Sequence, residues 1–218
     1  MRYIYFMNNL IFSPHTDDAI FSLGDYIIDS NRNFTIASAF AGIPKDWEGY
    51  RKHIKLRKEH DEACSMINAK VINGDLLDDV YGEQDKSLLI SWIRESIAKH
   101  DVEEVFNLNV YIPLGIYHPD HVLLSECLFK IINHYNCTFF VYAELPYRLA
   151  YPELYKSRLE EIRAIYNLEN VPIKFTKHKI DAIKKYNSQI AHVHDPSYID
   201  EDLIGKLIVE EKLWKIIQ

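Results

Sequence analysis

The chain has 218 residues, 48% of them hydrophobic, which is enough to form one domain with a substantial core. Its 25 basic and 32 acidic side chains give a net charge of −7, and the basic residues are scattered along the chain. This argues against a nucleic-acid partner, because such a partner requires a dense cationic surface. No stretch approaches the ~20 consecutive apolar residues that span a bilayer.

The cysteines and the N-terminus favour a cytoplasmic location. Cys64, Cys127 and Cys137 are odd in number and form no CxxC pair, so neither a disulfide framework nor a thiolate zinc site is expected. The apolar run in residues 1–10 is too short and too interrupted for a signal peptide. Because no linker or repeat divides the chain, we expect a soluble single domain over residues 1–218. A homo-oligomer is compatible with the sequence.

The first part of the chain alternates strand and helix patterns. Runs rich in β-branched and aromatic residues predict strands at residues 9–12, 33–40 and 70–73. Amphipathic patterns predict helices between them, at residues 18–29 and 51–68.

The same alternation continues after an acidic loop at residues 74–85. Helices are predicted at residues 88–99 and 122–133, and strands at residues 102–108 and 137–142. A βαβα order with apolar strands predicts an α/β fold: a Rossmann-like, doubly wound, mostly parallel sheet with helices on both faces. Right-handed crossovers then place every strand-to-helix loop at one edge of the sheet.

Four further elements are predicted towards the C-terminus. They are a helix at residues 154–166, a strand at residues 172–176, a helix at residues 179–192 and a closing helix at residues 198–217.

Two motifs rich in imidazole and carboxylate groups follow apolar runs and begin helices. The first is HTDD at residues 15–18, and the second is HPDH at residues 118–121. Open α/β folds bind ligands at this edge of the sheet. A catalytic zinc site typically has three protein ligands and an open position for water. We therefore predict that His15 and Asp18 bind a metal ion together with one imidazole of the HPDH motif.

The two motifs resemble those of the zinc-dependent de-N-acetylases of the LmbE-like family, also called the phosphatidylinositol-glycan class L (PIG-L) family. The resemblance covers nearly the whole chain, and Gly24 extends the first motif. Weaker matching stretches lie at residues 40–44, 57–63, 78–81, 144–147 and 186–189.

The resemblance implies a hydrolase that removes an N-acyl group, most often acetyl, from an amino sugar. With this resemblance we expect the metal ligands to be His15, Asp18 and His121. It assigns Asp17 as the general base, a role that suits a carboxylate beside the attacking water. It also implies that His118 stabilises the oxyanion. We expect Asp120 to orient an imidazole. The cofactor is expected to be Zn²⁺, although His and Asp ligands also accept Fe²⁺.

Three residues are candidates for substrate binding. Arg57 matches a family arginine, but an ion pair with Asp61 on the same helix face explains it equally well. Asp78 matches an acidic position that binds sugar hydroxyls, and simple solvation is its alternative. Tyr117 lies next to the position that often carries a tyrosine in the family, where this chain has Ile116.

Alternatives remain open for the metal site and for the function. His192 and His194 form a rival cluster in a polar loop. A metal-dependent hydratase or lyase would act on a carboxylate substrate and would favour cationic pocket residues such as Arg148. A non-catalytic sugar-binding relative would be expected to lose Asp17 or His118, and both are present.

Overall fold

The computed structural model describes residues 8–100, 108–192, 195–199 and 201–217. Nine strands lie in this part of the chain: β1 (Asn8–Ser13), β2 (Phe34–Ser38), β3 (Ala69–Asn73), β4 (Leu108–Pro113), β5 (Thr138–Tyr142), β6 (Asn167–Asn170), β7 (Ala191–His192), β8 (Asp195–Ile199) and β9 (Leu213–Ile217). Seven of them form one sheet in the order β3-β2-β1-β4-β5-β9-β6, and β7 pairs with β8. Strands β1 to β5 run parallel, whereas β9 is antiparallel to both β5 and β6. The predicted α/β fold with a mostly parallel sheet is confirmed.

Helices cover both faces of this sheet. They are α1 (Asp18–Ser30), α2 (Trp47–Met66), α3 (Lys86–His100), α4 (Pro119–Ile131), α5 (Tyr147–Ala150), α6 (Pro152–Ile165), α7 (Ile180–Ile183), α8 (Asn187–Ile190) and α9 (Glu201–Leu207). The side chains of α1, α2, α7 and α9 pack in one buried cluster, and those of α3, α4 and α6 pack in the other. Strand β1 serves both clusters, because Leu10 and Phe12 face one side of the sheet and Ile11 faces the other.

The strand order reverses between β1 and β4. The chain passes from β1 through β2 to β3 on one side of the sheet, and from β4 to β5 on the other. Strands β1 and β4 are direct neighbours, with Ile11 opposite Tyr111. The loops that follow these two strands therefore meet at the switch point, where doubly wound sheets bind ligands. These loops carry the HTDD and HPDH motifs.

Two predictions in the later part of the chain are corrected, and a third falls mostly outside the described residues. The strand predicted at residues 102–108 overlaps β4 at Leu108, and the rest of its range is not described. The polar residue Asn109 of β4 is buried because its side-chain amide donates to Asn9 Oδ1 over 2.9 Å. The strand predicted at residues 172–176 is wrong, because this segment is not a strand and the edge strand in this region is β6, at Asn167–Asn170. The helix predicted at residues 179–192 is divided into α7 and α8.

The closing helix predicted at residues 198–217 is also wrong. The structure has the end of β8, the short helix α9 and the strand β9 in this range. Residues 213–217 lie between β5 and β6, and Leu213, Trp214 and Ile216 are buried there. A short apolar run fits both the two-residue period of a strand and the 3.6-residue period of a helix, so pairing with distant strands decided which one formed.

Two other expectations concern the cysteines and membrane segments. Cys64, Cys127 and Cys137 form no disulfide with one another, and Cys64 and Cys127 are buried. In the described part of the chain, no helix combines the length and the apolar character that crossing a bilayer requires.

Candidate active site

The HTDD turn is held by its own side chains. The Ser13 hydroxyl donates to the carbonyl of His15 over 2.6 Å and accepts the amide of Ala19 over 3.1 Å. The amide of His15 donates to Asp18 Oδ2 over 2.8 Å. These bonds close the turn between β1 and α1, so the side chains of His15 and Asp18 project from a fixed backbone.

The three predicted metal ligands are brought together. His15 Nδ1 lies 3.2 Å from Asp18 Oδ2, His121 Nε2 lies 3.1 Å from the same oxygen, and the two nitrogens are 3.3 Å apart. We call these three atoms the ligand triangle. In a tetrahedral zinc site with bonds of ~2.0–2.1 Å, adjacent ligands lie about 3.3–3.5 Å apart. The donor set and its spacing therefore fit a zinc ion.

The other nitrogen of each imidazole faces a carboxylate. His15 Nε2 lies 3.1 Å from Asp120 Oδ2, and His121 Nδ1 lies 3.4 Å from Glu144 Oε1. Such partners orient a metal-bound imidazole and raise its basicity. Asp120 is fully buried at this contact.

Glu144 lies in one of the weaker matching stretches, and sequence reasoning gave it no role at the metal site. Its Oε1 also accepts the backbone amides of Gly115 and Ile116, over 2.7 and 3.2 Å, and the residue is completely buried. It thus connects the loop after β4 to His121. The signal available in the sequence was an acidic residue placed directly after the apolar run of β5.

The electrostatics of this cluster keep Asp18 ionised. Burial would raise the pKa of Asp18, but the charges of His121 and His15 lower it far below its usual range. Burial would lower the pKa of His121, but the carboxylates of Asp18 and Glu144 raise it to about 9. Binding of a divalent cation would therefore displace ring protons, as expected where histidines are ligands.

Asp17 and His118 line one cavity together with His15 and Asp18 of the ligand triangle. Burial and the neighbouring charge of Asp18 raise the pKa of Asp17 to about 7. His118 Nδ1 accepts the amide of Asp120 over 3.3 Å at the start of α4. Because Nδ1 is an acceptor, the proton of the neutral ring is on Nε2. Burial and the charge of His15 lower the pKa of His118, which favours this neutral form.

The cavity has a volume of about 300 Å³. Arg57 and Asp78, both predicted to bind substrate, line it. Arg57 contacts Ala41, Gly74 and Asp75 rather than Asp61. Asp78 Oδ2 lies 3.8 Å from His15 Nε2.

Tyr117 is placed differently from the other predicted substrate-binding residues. Its side chain is 53% exposed and its ring stacks on Tyr151, with centroids 3.8 Å apart. It does not line the cavity, whereas Tyr147 does. The ring of Tyr147 packs edge-on against His121, with centroids 4.7 Å apart.

Other groupings of potential ligands exist around the same site. Ligating atoms lie within 4.8 Å of one another in the sets His15/His118/His121, His15/Asp78/Asp120 and Asp78/Asp79/His118. The ligand triangle is tighter, with every edge at or below 3.3 Å. For the rival cluster, His194 lies outside the described residues, and the position of the His192 side chain is not described.

A buried network supports the HTDD turn from behind. The Tyr186 hydroxyl donates to the carbonyl of Thr16 over 2.9 Å and lies 2.9 Å from His60 Nδ1. Tyr186 and His60 are fully buried. The break between α7 and α8 places Tyr186 at this point, so a residue from late in the chain fixes the turn.

Known structures share this fold. No family model matches the chain, and no curated protein matches it in sequence. The zinc-inhibited form of teicoplanin deacetylase is 18% identical, with a TM-score of 0.69 over 96% of this chain and 98% of that one. N,N'-diacetylchitobiose deacetylase from Pyrococcus horikoshii is 16% identical, with a TM-score of 0.56 over 97% and 84% of the two chains.

A structure of a different activity has the fold too. The 4-carboxy-2-hydroxymuconate hydratase of Pseudomonas putida is 15% identical, with a TM-score of 0.57 over 92% of this chain and 82% of that one. The two deacetylases belong to the LmbE-like (PIG-L) family that the motifs resemble, so the resemblance is confirmed at the level of the fold.

Proposed function

We propose that this chain is a zinc-dependent N-deacetylase of the LmbE-like (PIG-L) family that acts on an N-acylated amino sugar or its conjugate. The observation that carries the proposal is the ligand triangle of His15, Asp18 and His121, with edges of 3.1 to 3.3 Å. Two of its residues, His15 and Asp18, line a cavity together with Asp17 and His118. The deacetylase neighbours support the reaction class.

His15 Nδ1, Asp18 Oδ2 and His121 Nε2 would hold the metal, with Asp120 and Glu144 behind the two imidazoles. When bound, Zn²⁺ polarises a carbonyl and lowers the pKa of water towards ~7. Fe²⁺ uses the same donor types. For one deacetylase neighbour zinc is named as an inhibitor, so the proposal of zinc here rests on the donor set and its spacing.

Asp17 and His118 would move and hold the protons of the reaction. The Asp17 carboxylate takes a proton from the attacking water and later passes it to the leaving amine. Its raised pKa of about 7 suits this exchange at neutral pH. The Nε2–H of His118 donates to the oxygen of the former amide carbonyl as charge develops there, a contribution typically worth about 2.7–4 kcal/mol.

The substrate is proposed to be a small N-acylated amino sugar. The cavity of about 300 Å³ is at the lower end of the volumes usual for small-molecule sites. The neighbour from Pyrococcus horikoshii acts on N,N'-diacetylchitobiose, which is an N-acetylated sugar. Asp78 and Arg57 are available in the cavity for the sugar hydroxyls.

A hydratase acting on a carboxylate substrate is the second candidate. It is supported by the hydratase that shares the fold. Arg148, which this reading favoured as a pocket cation, does not line the cavity, because its side chain donates to the carbonyl of Glu210 over 2.6 Å. Lys52 and Arg57 are cations that do line the cavity, so the deacetylase is preferred because two neighbours with this fold are deacetylases.

The proposal is tested by primary-amine release from a panel of N-acetylated amino sugars and their glycosides. The protein is loaded with Zn²⁺ or with Fe²⁺, and its metal content is measured. Asp17→Asn should abolish release while the metal content stays near one equivalent, and Asp61→Asn serves as the matched control on exposed α2 surface. Metal-loaded protein that releases no amine from any member would overturn the deacetylase proposal.

A further inference from the structure

The cavity has two chemically different walls. One carries His15 and Asp18 of the ligand triangle, together with Asp17 and His118, and the other is a face of α2. The α2 residues on this face recur at helical spacing, which places them on one side of the helix. They are Lys52, His53, Leu56 and Arg57.

Lys52 has no carboxylate partner in the part of the chain that the structure describes. Two other lysines on the same helix do, since Lys55 lies 3.7 Å from Glu59 and Lys58 lies 4.0 Å from Glu62. Lys52 has Leu56 at the corresponding position one turn later. Its charge therefore lines the cavity without a neutralising ion pair.

Arg57 is fixed in the same wall. Its Nε donates to the carbonyl of Ala41 over 2.7 Å, and its Nη2 donates to the carbonyl of Gly74 over 3.1 Å. Its contact with Asp75, at 3.4 Å, is to a fully exposed side chain. Two backbone carbonyls orient the guanidinium but do not cancel its charge, and among the described residues Nη1 makes no hydrogen bond.

His53 adds a polar group with no protein partner. The residue is 5% exposed, and its Nε2 is buried without a hydrogen-bond partner among the described residues. Burial and the charge of Lys52 lower the pKa of His53, so the ring is neutral at pH 7. A buried polar atom left unpaired normally costs free energy, and a ligand that supplies a partner recovers it.

We propose that this basic wall, formed by Lys52, His53 and Arg57, binds an anionic group of the substrate. The group is a phosphate or a carboxylate carried on the amino sugar, because Lys and Arg bind both through charge-assisted hydrogen bonds. Asp17 and Asp78 in the same cavity repel an anionic substrate unless a cationic wall receives its charge. This inference rests on the proposed function for the reaction, and it specifies the substrate class.

The turnover test compares substrates that differ in charge. The zinc-loaded protein is assayed on methyl N-acetylglucosaminide, which is neutral, on N-acetylglucosamine 1-phosphate and on N-acetylmuramic acid, which carries a carboxylate. We expect kcat/KM to be at least about tenfold higher for one of the anionic compounds. Lys52→Ala should bring the anionic-to-neutral ratio down by about tenfold, while the matched control Lys58→Ala should leave it unchanged. An equal ratio in wild type and Lys52→Ala would overturn the basic wall.

A binding test separates this inference from the reaction. Titration calorimetry of the zinc-loaded protein with the same three compounds needs no turnover. One possible result is that an anionic compound binds, that Lys52→Ala weakens this binding by about tenfold, and that no amine is released. The basic wall then stands and the deacetylase reaction fails. If the neutral glycoside binds as tightly as both anionic compounds, the basic wall is refuted whatever the turnover. Comparing the phosphate compound with the carboxylate compound identifies which anion the site accepts.

Discussion

Replacement of Glu144 by glutamine tests whether this carboxylate tunes the metal centre. Glu144 Oε1 lies 3.4 Å from His121 Nδ1 and also accepts two backbone amides. Glutamine retains a carbonyl oxygen for these donors and removes the negative charge. The His121 ring should then be a weaker ligand while the fold is kept.

The expected loss follows from the contacts of Glu144. Removing a carboxylate that supports a metal-bound histidine typically weakens metal affinity 10–100-fold, or about 1.4–2.8 kcal/mol. Alanine would act differently, because it leaves the buried amides of Gly115 and Ile116 unpaired. Each orphaned donor costs about 1–3 kcal/mol, so Glu144→Ala should destabilise the fold by roughly 2–6 kcal/mol.

The measurement is zinc affinity by competition with a chromogenic chelator, together with urea unfolding of the metal-free protein. Glu153→Gln is the control, since Glu153 is exposed and pairs only with Lys156 at 2.8 Å among the described residues. A zinc affinity for Glu144→Gln within twofold of both wild type and the control would refute the argument that this carboxylate tunes His121.

Three further outcomes are expected. Asp17→Asn should lower kcat by about 10²–10⁴-fold with KM little changed, as measured in amine-release kinetics, because a general base is lost. Burial lowers the pKa of His60 to about 3, so its neutral form is favoured in the fold. Because His60 in the unfolded chain takes up a proton below pH ~6.5, the free energy of unfolding should fall by about 1.4 kcal/mol between pH 7.5 and 5.5. This loss should be absent in His60→Gln, and an identical pH dependence of urea unfolding in both proteins would contradict it. Tyr186→Phe should destabilise the fold by about 1–3 kcal/mol because the carbonyl of Thr16 loses its donor, whereas Tyr166→Phe, at a half-buried ring that stacks on Phe129, should not.

The sequence alone was sufficient for the strand, turn and helix around the first motif and for the helix that begins in the second. An apolar run followed by polar residues and a 3.6-residue apolar period is a local pattern, and it predicted β1, α1 and α4 close to their observed bounds. The ligand types in HTDD and HPDH are also local, so their chemistry indicated a metal site before any contact was known. The βα alternation further placed the two motifs at the same edge of the sheet.

Tertiary structure decided what depends on contacts between distant parts of the chain. Glu144 meets His121 only because β5 lies beside β4, and Tyr186 reaches Thr16 across 170 residues. The segment Leu213–Ile217 became a strand because it pairs with both β5 and β6. The local sequence pattern does not identify such distant partners. A short apolar run can be buried equally well as a strand or as a helix, and its neighbours in space determine which one forms.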